Sequence, residues 1–189
     1  MLTIVVLLAL GMMAALSGCS RDTLADQFRA GDNKMYISGD GSVTEFQGKK
    51  FVSEGWTSVT SDGQTLSSEG LNGHVTVLNF WYAGCAPCRA EAPDLQQLSE
   101  QFKEVQFVGV NVRDSAATAA AFERKFGVTY PSILDANSGD VVLAFTGVVT
   151  PQAVPTTLVI DKQGKVSARV LGRVDPSTLK ALIQTVVDE

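Results

Sequence analysis

The sequence predicts an α/β fold in which helices flank a central mixed sheet, and three observations predict it. Two segments with the apolar, β-branched pattern of buried strands, 75–81 and 105–112, are each followed by apolar residues at helical spacing. A strand–turn–strand pattern covers 156–171, and a last helical pattern follows it. Strands that alternate with helices pair in parallel, whereas a hairpin adds antiparallel strands, so the expected sheet is mixed.

The first strand–helix pair lies at 75–102. Segment 75–81 is apolar or β-branched at nearly every position, which predicts a central strand covered on both faces. A helix is expected over 89–102, and Pro93 inside it predicts a kink. The apolar face of this helix is expected to consist of Ala92, Leu95, Leu98 and Phe102.

The second pair and the C-terminal part complete the sheet. Segment 105–112 predicts another buried strand, and a helix is expected over 115–126 with Gly127 as its stop. Segment 156–171 predicts an antiparallel hairpin with its turn at 161–164. The last helix is expected to have Pro176 in its first turn and Leu179, Leu182, Ile183 and Val186 facing inward.

The first 18 residues carry no charge and are mostly apolar, which predicts an export signal or a membrane span. The order Leu16-Ser17-Gly18-Cys19 resembles a bacterial lipoprotein processing site, where the cysteine is lipidated. We therefore expect a signal peptide over 1–18 and a lipid anchor at Cys19 on the extracytoplasmic face of the membrane, with a retained single span as the alternative. A positive segment is normal before such a run; its absence here would be explained by a start codon assigned too late.

Residues 19–48 are rich in Gly, Asp, Ser and Lys, which predicts a flexible tether with a short hairpin around 35–46. A flexible segment of this length spans roughly 30 Å. Between 49 and 73 the pattern changes to short strands broken by turns. The compact domain is therefore expected over 49–189.

The charge of the chain limits its partners. The 189 residues include 15 Lys and Arg against 20 Asp and Glu, which gives a net charge of −5. This balance provides no general attraction for phosphate backbones. Nucleic acid is therefore not an expected partner.

The chain contains three cysteines, an odd number for an exported protein, in which an unpaired thiol would be a hazard. If Cys19 carries lipid, Cys85 and Cys88 are left to pair with each other. The strand before them and the helix after them put Cys85 at a helix N-terminus, where a thiolate is favoured and the thiol pKa is lowered. Because the thiolate attacks disulfides, we expect Cys85 to be the accessible, reactive sulfur and Cys88 to be the shielded resolving thiol.

Three other interpretations of the cysteine pair fail on the sequence. A zinc site needs about four ligands, but the chain adds only Cys19 and His74. Covalent haem attachment requires His directly after the second cysteine, where this chain has Arg89. A purely structural disulfide across so small a loop stabilises little by chain entropy. The sequence thus indicates redox chemistry and implies no cofactor and no metal.

Three runs resemble the thioredoxin superfamily: Phe80-Trp81, Cys85-Ala86-Pro87-Cys88-Arg89 and Val154-Pro155-Thr156-Thr157. The segment 49–187 is similar to the ResA/TlpA branch of that superfamily. This resemblance implies a thioredoxin-like fold with an N-terminal strand extension and an inserted helix near 140–145.

Two further runs, Asn111-Val112-Arg113-Asp114 and Tyr130-Pro131-Ser132-Ile133, are most similar to the actinobacterial cytochrome c biogenesis members of the branch. That resemblance implies reduction of the disulfide in an apocytochrome c haem-binding motif, with electrons from a membrane thiol-reducing protein of the CcdA type. Two alternatives stay open. One is an oxidase that introduces disulfides into exported proteins. The other is a lipoprotein that only binds a partner. Buried, inert sulfurs without a groove at 154–155 would favour it, and an exposed Cys85 sulfur would exclude it.

The resemblance also implies the roles of four residues around the dithiol. Pro155 is expected to be cis and to face the cysteines, although X-Pro bonds are usually trans. The backbone of Val154 is expected to pair with an extended substrate chain, with Trp81 in the same substrate-binding surface. Glu91 is expected to be a partly buried carboxyl of raised pKa that accepts the proton of Cys88. A solvated helix glutamate is the alternative for Glu91.

The sequence departs from the superfamily at two positions. Asn79 stands where ordinary thioredoxins carry a buried Asp, six residues before the first cysteine. Gly84 stands directly before that cysteine, where Trp is usual. The first departure leaves Glu91 as the candidate acid, and the second removes the usual aromatic cover from the substrate-facing surface.

Overall fold

The computed structural model of the protein describes residues 42–50, 55–150 and 153–189. The predicted signal peptide 1–18, the predicted lipidation site Cys19 and the tether up to residue 41 lie outside these residues. Within the described ranges, none of the helices is both long and apolar enough to cross a bilayer. The strands are β1 Ser42–Lys50, β2 Thr57–Val59, β3 Thr65–Ser67, β4 Thr76–Trp81, β5 Gln106–Asn111, β6 Ser132–Leu134, β7 Thr156–Ile160 and β8 Val166–Leu171. The helices are α1 Ser68–Leu71, α2 Ala86–Gln101, α3 Ala116–Phe126, α4 Asp140–Ala144 and α5 Pro176–Val187.

A six-stranded mixed sheet forms the centre of the fold, in the order β1-β8-β7-β4-β5-β6. β4 pairs in parallel with β5, and β5 with β6, whereas β4–β7, β7–β8 and β8–β1 are antiparallel. β2 and β3 form a separate antiparallel hairpin. All six residues of β4 are buried, which confirms the predicted central strand. The predicted mixed α/β fold, the C-terminal hairpin and the inserted helix are confirmed as well.

The sheet separates two apolar cores, because successive residues of β4 point to opposite faces. Phe80 packs in one core together with Val141 of α4. Val77 packs in the other core together with Leu95 of α2 and Ile183 of α5. A third apolar cluster surrounds the two cysteines and includes residues of α3. The cysteines therefore lie where β4 ends and α2 begins, between packed elements.

Helix α2 begins at Ala86, three residues earlier than predicted. The reason is that Cys85 acts as its N-cap residue and Pro87 occupies its first turn, where a missing backbone N–H costs nothing. The helix continues through Pro93 to Gln101. Cys85 thus stands at the N-terminus of a helix of 16 residues.

Helices α3 and α5 agree with the predicted limits because of their end residues. Ser115 caps α3 by accepting a hydrogen bond from the backbone N–H of Thr118, and Gly127 ends the helix with φ 70°. This left-handed conformation suits glycine, which has no Cβ to clash. Asp175 caps α5 in the same way, and Pro176 follows in the first turn.

The predicted domain boundary at residues 48 and 49 is too late. β1 begins at Ser42 and pairs with β8, so the sheet includes the last part of the predicted tether. The described strand within the predicted hairpin 35–46 therefore has β8 as its partner. Composition did not reveal this strand because β1 lies at the edge of the sheet and needs little apolar surface. Val43, for example, is 44% exposed.

Candidate active site

Cys85 and Cys88 form a disulfide across the first turn of α2, with their Cα atoms 5.3 Å apart. The pairing predicted from the cysteine count is therefore confirmed. The backbone N–H of Cys85 donates to the carbonyl oxygen of Tyr82 at 3.1 Å, which closes a turn between β4 and α2. The Cys85 sulfur accepts a hydrogen bond from the backbone N–H of Cys88 at 3.2 Å. A negative charge on Cys85 would thus lie at the helix end that favours anions.

Both sulfur-bearing residues are buried in this disulfide form. The exposed fraction is 0% for Cys85 and 2% for Cys88. The expectation that Cys85 is accessible is therefore wrong for this form. The physical reason is that Cys85 packs in the same apolar cluster as Tyr82 and Val154.

The Val154–Pro155 peptide bond is cis, as the resemblance implied. Both residues are buried, and the Pro155 carbonyl oxygen accepts a hydrogen bond from the backbone N–H of Gly172 at 2.9 Å. The fold brings Val154 into one cluster with Cys85, although 69 residues separate them in sequence. The exposed fraction of Val154 is only 2%, so its backbone is not an open docking edge in this form.

Trp81, the last residue of β4, points into the protein. Its exposed fraction is 4%, and its ring centroid lies 4.3 Å from that of Phe122 on α3. It also borders a cavity of about 10 Å³ together with Asn79 and Cys88. Trp81 thus lies beside the inner cysteine and is not a surface residue in this form.

Glu91 is completely buried, one turn along α2 from Cys88. Its Oε1 accepts a hydrogen bond from the Asn79 side-chain amide at 2.8 Å. Its Oε2 accepts one from the backbone N–H of Val174 at 3.0 Å. A solvated helix glutamate is therefore ruled out at this position.

Burial raises the pKa of Glu91 from 4.5 to about 7, because the charged form loses its hydration. The hydrogen bonds from Val174 and Asn79 act in the opposite direction, as does the charge of Arg173. Desolvation is the largest of these effects. Glu91 can therefore gain or lose a proton near neutral pH, which is the property that a general base needs.

Asn79 connects Glu91 to β7, a neighbour of β4 in the sheet. Its side-chain amide nitrogen also donates to the Thr157 hydroxyl oxygen at 3.0 Å, and the two residues are direct partners in the β4–β7 pairing. The sequence did not predict Thr157 or Val174 as parts of the site. The sequence did contain a signal for the Asn79–Thr157 pair, because each is a polar residue inside an apolar strand and buried polar side chains need partners.

Tyr82 occupies the space that Gly84 leaves open. A Cβ atom at Gly84 would lie 3.2 Å from Cε2 of the Tyr82 ring. The Arg113 guanidinium lies over that ring, 4.5 Å from its centroid, which is the geometry of a cation–π contact. An aromatic ring thus still stands beside the cysteines, but it comes from position 82 and carries an exposed arginine over it.

Known proteins named for thiol-disulfide chemistry are similar to this chain. The family described as AhpC/TSA matches residues 42–169. The thiol-disulfide oxidoreductase ResA of Bacillus subtilis is 33% identical over 141 residues, which cover 71% of this chain and 76% of that protein.

The solved structures that are similar in fold and sequence include two from Corynebacterium species. A secreted thiol-disulfide isomerase from Corynebacterium glutamicum has a TM-score of 0.71 and 29% identity, and the match covers 81% of this chain and 96% of that one. A DsbF homologue from Corynebacterium diphtheriae has a TM-score of 0.67 and 31% identity, over 79% of this chain and 96% of that one. The matched family region, 42–169, includes both cysteines, Glu91 and the cis proline.

Proposed function

Because the chain belongs to the AhpC/TSA family and is a thiol-disulfide oxidoreductase, we propose that it reduces disulfides of proteins outside the cytoplasm. In this proposal Cys85 is the attacking thiol, Cys88 the resolving thiol and Glu91 the proton acceptor. The observation that carries the proposal is the Cys85–Cys88 disulfide across the first turn of α2, with the buried Glu91 carboxyl one helical turn from Cys88.

The proposed reaction has two exchange steps. The Cys85 thiolate attacks one sulfur of the substrate disulfide, that bond breaks, and the other substrate sulfur leaves as a thiolate. Cys88 then gives its proton to the Glu91 carboxylate and attacks the Cys85 sulfur of the mixed disulfide. The Cys85–Cys88 bond forms and the second substrate sulfur leaves as a thiolate. Two electrons have passed to the substrate, and the oxidised enzyme needs an external dithiol to reduce it again.

The position of Glu91 supports its role in the second step. Asn79 holds the carboxylate from one side and borders the same small cavity as Cys88. At pH 7 a carboxyl with a pKa of about 7 is half ionised, so it can accept a thiol proton and release it again. An ordinary exposed glutamate, ionised almost completely at this pH, is a much weaker base.

Access to the cysteines tests the proposal, because both are buried in the disulfide form. A sulfur with 0% exposure cannot be attacked as it stands, so the exchange requires local opening around Cys85. Reduction of the folded protein by dithiothreitol, followed by alkylation and mass mapping, tests this directly. We expect rapid reduction and labelling at Cys85 without global unfolding. A disulfide reduced only under denaturing conditions would favour a partner-binding protein with a structural disulfide.

For the substrate, we propose the oxidised haem-binding motif of an apocytochrome c, with a membrane protein of the CcdA type as electron donor. The resemblance of the runs 111–114 and 130–133 to cytochrome c biogenesis proteins supports this choice. Similarity to ResA and to a secreted thiol-disulfide isomerase supports a protein disulfide as the substrate. The test mixes the reduced protein with an oxidised apocytochrome peptide and measures free peptide thiols. A Cys88→Ala variant should form a covalent complex with the peptide through Cys85. Absence of both peptide thiols and the complex would remove the substrate assignment.

Disulfide formation is the second candidate, and the Cys85–Cys88 disulfide in this structure favours it, because the oxidised pair is the form that passes a disulfide to a substrate dithiol. Thioredoxin and DsbA differ in reduction potential by about 150 mV although their cysteines have the same spacing. The potential of the Cys85–Cys88 couple, measured against glutathione, therefore decides the direction. We expect a value nearer to the thioredoxin value of about −270 mV than to the DsbA value of about −120 mV.

We also propose that Cys19 carries a lipid that holds the domain at the outer face of the membrane. The motif Leu16-Ser17-Gly18-Cys19 supports it. In cells grown with a labelled fatty acid the protein should incorporate the label, and a Cys19→Ala variant should not. The same variant should keep its disulfide-reducing activity, since the cysteine pair is unchanged.

A further inference from the structure

The loop that follows β5 is tied to the turn that precedes the disulfide. Asp114 Oδ2 accepts a hydrogen bond from the backbone N–H of Ala83 at 2.6 Å. The same oxygen accepts a second one from the side-chain amide of Asn111 at 2.8 Å. None of these residues takes part in the proton transfer proposed above.

Asn111 fixes the position of the Asp114 carboxylate. It is the last residue of β5, it pairs with Trp81 at the end of β4, and its exposed fraction is 0%. Its Oδ1 accepts the backbone N–H of Arg113 at 3.1 Å and that of Asp114 at 2.7 Å. The side chain of Asn111 therefore orders both the backbone and the carboxylate of Asp114. Because Asn111 belongs to a central strand, its hydrogen bonds hold the Asp114 carboxylate in a fixed position relative to the sheet.

Ala83 is the residue of the turn before Cys85 whose backbone N–H Asp114 binds. The turn runs from Tyr82 to Cys85 and is closed by the Cys85 N–H and the Tyr82 carbonyl oxygen. In such a turn the N–H of the second residue, here Ala83, is not used by the turn itself. Asp114 takes this free donor and so attaches the turn to β5. The next residues are Gly84, which is exposed, and then the N-cap residue Cys85.

We propose that Asp114 is a positioning residue for the dithiol: its carboxylate, held by Asn111, fixes the 82–85 turn so that the Cys85 sulfur stays at the N-terminus of α2. This inference rests on the proposal that Cys85 is the attacking thiol. Loss of the anchor would let the turn move and would carry Cys85 away from the backbone N–H of Cys88. A misplacement of this kind lowers reactivity because the helix end no longer stabilises the thiolate.

The first test compares Asp114→Ala with Asp114→Asn in the fully reduced protein. The rate of Cys85 alkylation by iodoacetamide is measured across pH, which requires no protein substrate and no assumed direction of electron flow. We expect a loss of about 10-fold at pH 7 in Asp114→Ala, through an upward shift of the pH midpoint with an unchanged plateau at high pH, where the rate reports access to the sulfur. The loss in Asp114→Asn should be less than about 2-fold, because an asparagine oxygen can still accept both donors. Asp140→Asn, an exposed acid on α4, is the control and should match the unaltered protein.

The two variants separate geometry from charge. Both remove a negative charge near Cys85, and by charge alone both would favour the thiolate and react at least as fast as the unaltered protein. Equal rates in the Ala and Asn variants would therefore overturn the proposal. Urea unfolding of each variant identifies a global loss of stability, and only rates measured on folded protein are compared.

A double-mutant cycle tests the specific hydrogen bond. Ala83→Pro removes the donor itself, and proline is well tolerated at the second position of such turns. In that background Asp114→Ala should change the alkylation rate by less than about 2-fold, since the bond is already absent. A full 10-fold loss in both backgrounds would show that Asp114 acts in another way. Labelling of Cys88 in the unaltered protein would instead refute the role of Cys85 in the proposed function.

Discussion

Glu91 and Asp135 are both acidic side chains that the fold buries, with exposed fractions of 0% and 2%. Asp135 accepts hydrogen bonds from the backbone N–H groups of Val141 and Val142, at 3.0 and 2.9 Å, in the first turn of α4. Glu91 accepts one backbone N–H, from Val174, and one side-chain amide, from Asn79. The two acids are thus equally hidden from water but have different surroundings.

The comparison shows that burial alone does not mark an acid as functional. Asp135 accepts hydrogen bonds at the N-terminus of α4, where backbone N–H groups have no partner within the helix. Its carboxyl group therefore stabilises the start of this helix. Around Glu91 the cost of desolvation exceeds the benefit of its two donors, and its pKa rises to about 7. One acid therefore serves stability, and the other can exchange a proton one helical turn from Cys88.

The largest effect is expected from Glu91→Gln on the resolving step. A glutamine cannot accept the Cys88 proton, so the mixed disulfide at Cys85 should decay about 100-fold more slowly at pH 7, a change of about 3 kcal/mol in the barrier. Quenched-flow trapping of the mixed disulfide measures this decay. Glu100→Gln is the matched control, because it makes the same change at an exposed position of the same helix. Unchanged decay in Glu91→Gln would remove Glu91 from the mechanism.

Glu91 should also make the stability of the oxidised protein depend on pH. Its pKa is 4.5 when unfolded and about 7 when folded, so the folded state binds the proton more tightly. This contribution is complete below pH 4.5 and is lost as the pH rises through 7, with a total of about 3 kcal/mol at 1.36 kcal/mol per pKa unit. Urea unfolding of the oxidised protein from pH 4 to 8 should show this loss, and Glu91→Gln should lack it. Parallel curves for the two proteins would contradict the raised pKa.

Asp135→Asn should show the opposite pattern, a loss of stability without loss of chemistry. The asparagine amide group would face one of the two helix N–H donors and leave it unsatisfied, at a cost of about 2 kcal/mol. Urea unfolding at pH 7 measures this cost. The rate of disulfide reduction in the folded variant should stay within about 2-fold of the unaltered protein. A large loss of rate in a folded Asp135→Asn protein would contradict the claim that Asp135 contributes only to stability.

The sequence predicted the parts of the fold that have strong local patterns. The buried strands β4, β5, β7 and β8 are rich in apolar or β-branched residues, and the capped helices α3 and α5 carry apolar residues at helical spacing. β1 was not predicted because an edge strand needs few apolar residues. α1 and β6 were not predicted because they have only four and three residues. Short and peripheral elements form through contacts with the rest of the chain, which local patterns do not contain.

The candidate site divides in the same way. Cys85, Cys88 and Pro155 could be named as candidates because they lie in recognisable runs of sequence. Glu91 was named because the family resemblance places a carboxyl three residues after Cys88. Thr157 and Val174 could not be named, because they meet Asn79 and Glu91 only across 78 and 83 residues of chain. The closed packing over Cys85 was also missed, since exposure depends on how Tyr82 and Val154 pack around it. The sequence thus indicates which residues are reactive, whereas the pKa of Glu91 and the exposure of Cys85 depend on the tertiary structure.

The smallest effect is expected from Thr157→Val, which removes the hydroxyl that Asn79 binds and keeps the shape of the side chain. Loss of this bond should cost about 1 kcal/mol of unfolding free energy. It should also loosen the Asn79 amide, weaken its hydrogen bond to Glu91 and raise the pKa of Glu91 further, because that bond favours the ionised form. The pH midpoint for decay of the mixed disulfide should therefore move upward by less than about one unit. A Thr157→Ser variant keeps the hydroxyl and should restore the midpoint. If serine and valine shift it equally, packing at position 157 controls the proton affinity of Glu91, and the hydrogen bond does not.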